Sequence, residues 1–348
     1  MTTTRVLLDD DLSIATRFIS PTLSVFNARD GVFTPVERLK AEGVTHFAYA
    51  CRDERYGDLV RSAAGFEHED AGEADQGLSS TGLEAGRIID TLDQRIGSDV
   101  ELMGRTGQLD GFVSDAPAII GADSAFKRHP SAVIEPGCII NTENGPVVID
   151  ANARIARMSY IAGPAYIGPD ARIDSAHLSS TVIGRHGRLG GEVEASIFND
   201  FSNKHHEGFV GHSLIGQWVN LGALTTTSDL KNNYGEVRLT APAHGAAHDV
   251  PVAYDTGTIK FGSVISEFVK TGIGTLLSTG SVIDLGANLF EAPEGKYVPA
   301  FVWGSARAPR YRLDRFLGDA ETIAARRKQT LSAARLAVLR HLYTQATA

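Results

Sequence analysis

Ile149, Ile155, Ile161, Ile167 and Ile173 recur at intervals of six, separated by small, polar or turn-forming stretches such as Asp150-Ala-Asn-Ala-Arg and Gly168-Pro-Asp-Ala-Arg. A helix would scatter that period around its circumference, and an alternating strand would need an apolar residue at every second position. Short strands joined by tight turns, each coil stacked on the last, instead send one aliphatic residue in six inward and want a small neighbour at each corner. The phase resumes at Ile183-Gly184, Leu189-Gly190, Ile215-Gly216 and Leu221-Gly222, then through Phe261-Gly262, Ile273-Gly274, Val282-Ile283 and Leu285-Gly286. The pattern predicts a mainly β chain, a parallel β-helix of hexapeptide repeats, left-handed by its recurring aliphatic-Gly pairs. A β-sandwich with accidental spacing is the competing fold, and five matches in one phase argue against it.

The repeat divides the chain into residues 1–115, 116–290 and 291–348. The first part reads as a small α/β domain. Arg5-Val-Leu-Leu looks like a strand, Thr34-Pro-Val-Glu-Arg-Leu-Lys a short helix and Thr45-His-Phe-Ala-Tyr-Ala a second strand, with Glu67 to Asp75 a solvated polar loop. In the last part Ile323, Leu331, Ala334, Val338 and Leu342 fall at helical spacing, so Asp319 to Thr344 is predicted to form one amphipathic helix.

Composition sharpens this picture in two ways. The 348 residues include 36 glycines, well above the usual share of about 7%, which repeated tight turns would consume. A formal charge of -9 with no long block of one sign makes nucleic acid or an anionic membrane a poor partner for the molecule as a whole. Cys51 and Cys138 are too few for a disulfide framework, and no apolar run reaches the length of a membrane span or forms an N-terminal leader, which reads as a cytoplasmic protein.

Candidate chemistry is concentrated between the two repeat blocks, in Phe201-Ser-Asn-Lys-His-His-Glu-Gly-Phe-Val-Gly-His and Val219-Asn-Leu-Gly-Ala. This segment resembles the β-helix acetyltransferase domain of the bifunctional N-acetylglucosamine-1-phosphate uridylyltransferase/glucosamine-1-phosphate acetyltransferase family. More closely it resembles shorter bacterial relatives described as sugar nucleotidyltransferases. That likeness runs from about residue 130 onward and includes Val269-Lys-Thr-Gly-Ile-Gly-Thr-Leu-Leu-Ser-Thr-Gly and Lys296-Tyr-Val-Pro-Ala-Phe-Val-Trp-Gly.

The resemblance implies a CoA-dependent acyltransferase, assembled as a homotrimer, with acetyl-CoA or another acyl-CoA as co-substrate and no metal needed for the transfer. His206 corresponds to the general base, because Gly211 follows five residues later, and Asn220 would orient the acceptor or the base. Imidazole suits the task, since its ordinary pKa of about 6.5 lets it accept a proton near neutral pH. Lys204 and Lys231 would contact the small-molecule acceptor. Phe209 stands where the family has a tyrosine that binds the sugar phosphate. Ala223 and Ser263 would touch the cofactor. A metal site of His205, His206 and His212 is disfavoured, because neighbouring side chains on a strand point to opposite faces.

The same resemblance makes residues 1–115 a shortened nucleotidyltransferase-like domain, opening on Leu7-Leu-Asp-Asp. Nucleotidyl transfer needs a glycine-rich loop whose backbone N–H groups cradle a triphosphate. The first glycine is Gly31, so the loop is missing where it is expected. A sugar-phosphate nucleotidyltransferase and a non-catalytic β-helix scaffold remain the alternatives to acyl transfer.

Overall fold

The computed structural model describes residues 5–10, 20–23, 27–51, 54–64, 76–79, 85–242, 251–304 and 309–347. It is a mostly β parallel solenoid of about 10 turns, with a few helices that include a C-terminal one. The polar stretch Glu67 to Asp75 lies outside the described residues.

All five isoleucines of the hexad series are fully buried. Their spacing resolves into columns. Ile149 pairs with Ile167, which pairs with Ile183, and the line continues through Phe198, Ile215, Ile265, Ile283 and Val298. Ile134, Ile155, Ile173 and Leu189 form a second column, and Ile140, Ile161, Leu178, Val193 and Val210 a third. Three hexads thus make one turn, and each hexad feeds a different side of the coil. Stacking like on like fills the interior with side chains in ordinary van der Waals contact, the packing that a dry core demands.

The glycine of each aliphatic-Gly pair answers to the neighbouring turn. A Cβ on Gly190 would lie 2.1 Å from the carbonyl oxygen of His205, and one on Gly262 would lie 2.1 Å from that of Gly211. Neither residue has a positive φ. The left-handed corners are held largely by other residues, among them Asp170, His186, Phe201, Trp218 and Phe268. Four of these stack as an aromatic file, His186 on Phe201, Phe201 on Trp218 and Trp218 on Phe268. One expected inward position is corrected: Ile273 is 79% exposed, and Thr271 occupies the turn's buried place.

The N-terminal part is a three-stranded parallel sheet, ordered His46–Cys51, Arg5–Asp10, Gln76–Ser79, with helices packed against it. The predicted short helix is Pro35–Ala41, started by a capping box in which Thr34 and Glu37 bond each other's backbone N–H groups. Ile96 and Leu102 of helix Leu92–Arg105 belong to one core with Tyr166, Val182, Ile197, Leu214 and Val264, which point outward from one side of the coil. Arg29 adds a polar anchor: its backbone N–H donates to Asn199 and its guanidinium to Asp200.

The tail is two helices, Leu313–Arg326 and Ala333–Thr347, and not the single one expected. The first ends at Arg327, and Lys328 turns the chain with a φ of 56°, so the apolar pattern bridges a corner. Phe316 and Leu317 cover Trp218, Phe268 and Phe301. The second helix sends Arg335 inward to Glu267, whose carboxylate also accepts from Ser20 and Thr22; the same guanidinium reaches Thr22 and Gln217. Burial pushes the Glu267 carboxyl above its ordinary range although Arg335 pulls the other way. That one buried group joins the N-terminal part, the coil and the tail. Among the described residues no helix is long and apolar enough to cross a membrane.

Candidate functional site

His206 follows the strand Asn203–Lys204, and its imidazole is exposed, edge-on to His205 at 4.7 Å between ring centres. Its ring forms no hydrogen bond among the described residues. What is fixed is the backbone beneath it. Lys204 pairs with Leu189 and so occupies a place in the second, aliphatic column; it is 1% exposed. Its Nζ donates to the carbonyl of Gly190 at 3.0 Å and to that of His206 at 2.8 Å. Burial lowers the Lys204 ammonium to about 8, against the opposing pull of Glu207. The ammonium of Lys204, expected to contact substrate, faces the interior and tethers the turn that carries His206.

Asn220 is exposed one turn on, where its Oδ1 accepts from Asn203 Nδ2 at 2.8 Å. The adjoining turn brings Ala223 beside His206, since the N–H of Leu224 donates to Glu207. Phe209 is half-buried in the strand Phe209–Gly211. Lys231 lies in the excursion that leaves the coil and donates to the backbone carbonyl of Glu236. Ser263, expected to touch the cofactor, is fully buried, with its N–H bonded to Ser213 Oγ. His206 and Ala223 thus lie on neighbouring turns, Asn220 stands opposite Asn203, and Lys231 and Ser263 are held elsewhere.

Two arrangements escaped the sequence. His212 Nδ1 lies 2.7 Å from Asp229 Oδ2, both side chains being largely buried. Burial would raise the Asp229 carboxyl, but the hydrogen bond and charge of His212, with Lys260 nearby, outweigh it and hold the group below its usual range. The available signal was spacing: the two residues stand about one turn apart in sequence, so the coil must set them side by side. Asp174 and His205 are a second pair, with 3.0 Å between Oδ2 and Nδ1. The other arrangement is an outward column through Arg154, Arg172, Arg188, Asn203, Asn220 and Lys270. Among the described residues no group of three His, Cys, Asp or Glu side chains is placed to hold a metal ion.

Fold and site together define a parallel β-solenoid with an exposed, backbone-anchored histidine on one edge. No family model and no curated relative matches the chain. Solved structures similar to it include a candidate acetyltransferase from Bacillus cereus, 16% identical, with a TM-score of 0.26 over 66% of this chain and 94% of that one. Another is the acetyltransferase domain of PglB from Neisseria gonorrhoeae in complex with acetyl coenzyme A, 14% identical, with a TM-score of 0.25 over 64% of this chain and 96% of that one. At such scores neither likeness identifies the activity of this chain.

Proposed function

We propose that this protein is a CoA-dependent acyltransferase that acylates an amine or hydroxyl of a small acceptor, a sugar phosphate or related metabolite, with His206 as general base. The observation that supports this reading most is the exposed imidazole on a backbone clamped by Lys204, in the motif that resembles the acetyltransferase family. The acceptor's nitrogen or oxygen attacks the thioester carbonyl while His206 takes its proton. Collapse of the tetrahedral adduct breaks the C–S bond, and the imidazolium returns the proton to the departing thiolate. Ala223, small and adjacent to His206, leaves room for the acyl arm along the coil, and Asn220 is available to orient the acceptor. Leu224, Ile273 and Leu276 are exposed on adjoining turns of this region, an apolar strip that suits burial against further copies in a homotrimer.

The pair His212–Asp229 favours a second assignment of the base. A carboxylate on Nδ1 fixes the tautomer and leaves Nε2 as the acceptor, an orientation that His206 lacks. In either case the N-terminal part serves assembly, because Ser20, Thr22 and Arg29 are engaged with the coil and its tail.

The test is thiol release from acetyl-CoA with a panel of amino sugars, amino-sugar phosphates and simple amines, run beside pyrophosphate release from nucleoside triphosphates and sugar phosphates. Thiol release that disappears in His206→Ala and persists in His212→Ala supports the first assignment; the reverse moves the base to His212. Pyrophosphate release without thiol release favours the nucleotidyltransferase, and the absence of both products with no effect of CoA on Tm favours the scaffold.

A further inference from the structure

Several arginines of this molecule are matched with carboxylates. Arg29 meets Asp200, Arg38 meets Asp30 and Asp99, and Arg335 meets Glu267. One cluster of cations around a cavity is not so matched. Between the outward column of the coil and the end of helix Leu313–Arg326 lies a cavity of about 380 Å³, bounded by Arg188, Lys270, Arg326 and Arg327 together with Asn203 and Asn220. Among the described residues no carboxylate lines it.

The cations there act against one another. Burial, then the charges of Arg188, Arg326 and Arg172, bring Arg327 down to about 10. Arg188 is lowered by burial and by Arg172 and Arg326, which outweigh Asp174. Lys270 is lowered by burial despite Asp319, and its Nζ sits 5.5 Å from the centre of the Tyr311 ring, a contact that orients the ammonium without neutralising it. A helix C-terminus welcomes positive charge, which accounts for Arg326 and Arg327. It does not account for Arg188 and Lys270, which come from two different turns of the coil and face the same space.

We propose that this cavity is a binding site for a phosphoryl group carried by a small ligand, with Arg188, Arg327 and Lys270 supplying the charge and Asn220 a neutral donor. Guanidinium groups match phosphate oxygens with paired N–H donors, and a dianion relieves the mutual repulsion of the cluster. Asn220 Oδ1 is occupied by Asn203, which leaves its Nδ2 to donate. The volume is that of a small-metabolite pocket. The site stands on these residues alone and does not depend on which histidine, if either, performs acyl transfer.

Calorimetric titration of the full-length chain at low ionic strength, with inorganic phosphate and pyrophosphate as probes, tests the proposal. Saturable binding is expected, weakened about 10-fold or more in Arg327→Ala and in Lys270→Ala, and unchanged in Arg238→Ala, which removes one charge outside the pocket. Melting temperatures of the variants report whether each is folded, and the two variants come from separate elements, so misfolding of one leaves the other to decide. No saturable binding by the folded protein, or equal weakening by Arg238→Ala, overturns the proposal. Competition then identifies the source of the phosphoryl group. Displacement of pyrophosphate by CoA but not by 3′-dephospho-CoA assigns it to the cofactor, and displacement by phosphorylated amino sugars but not by CoA assigns it to the acceptor.

Discussion

Lys204 occupies a position that three turns of the coil give to Ile155, Ile173 and Leu189. Its ammonium titrates at about 8 in the folded protein and near 10.4 in an unfolded chain. Between those values the unfolded state binds more protons, so stability rises with pH across that window and the burden of the charge is greatest below it. The melting temperature of the wild type relative to Lys204→Met should therefore climb from pH 8 to pH 10, as followed by circular dichroism. A flat difference would mean that the lysine is not charged and buried as described. For the bases, His206→Ala should reduce kcat by about 10²–10⁴-fold at constant fold if it carries the proton. Asp229→Asn should leave kcat within a few fold in that case, and lower it comparably if His212 is the base. The residues of this region are legible in the sequence as one polar segment. Which of them face inward is not, because turn lengths vary and a shift of one residue exchanges the two sides of a strand. Ile273 is misplaced for that reason.

At the level of elements, the aliphatic-Gly pairs were readable as a repeat, but their cause lies between turns. Gly190→Ala would drive a methyl group into the carbonyl of His205, a backbone atom that cannot step aside without moving the turn that carries His206. We expect a loss of about 1–3 kcal/mol or more in denaturant titration, accompanied by a fall in any activity that depends on His206. Gly97, inside helix Leu92–Arg105, gives the opposite result. A Cβ there meets nothing within 4 Å, so Gly97→Ala should add about 0.5–1 kcal/mol through backbone entropy alone. The tail shows the limit of periodicity. The series from Ile323 to Val338 keeps helical spacing across Arg327–Ser332, where the chain turns at Lys328, and the pattern contains no proline or glycine to announce the break.

For the whole molecule, Glu267 and Arg335 decide how the parts depend on one another. Removing the carboxylate alone strands a buried guanidinium, so Glu267→Ala should cost about 3–5 kcal/mol, whereas replacing both members with apolar residues should recover most of it. A double-mutant cycle in urea gives the coupling directly, and additive losses would show that the two charges are independently solvated. None of this pairing was visible in the sequence, where the partners stand 68 positions apart and Thr22 lies 245 from Glu267.

The placement of that pair also bears on how the molecule comes apart. A stack of repeats ordinarily frays from its ends, since each turn is held only by its neighbours. Here the last helix is folded back onto the turns that carry Gln217 and Glu267, and Ser20 and Thr22 are held by the same carboxylate. Neither that helix nor the segment of Ser20 and Thr22 can loosen without uncovering the charge, so heating should release the two together in one calorimetric step. Three stretches far apart in sequence thus close a circuit on a single carboxylate.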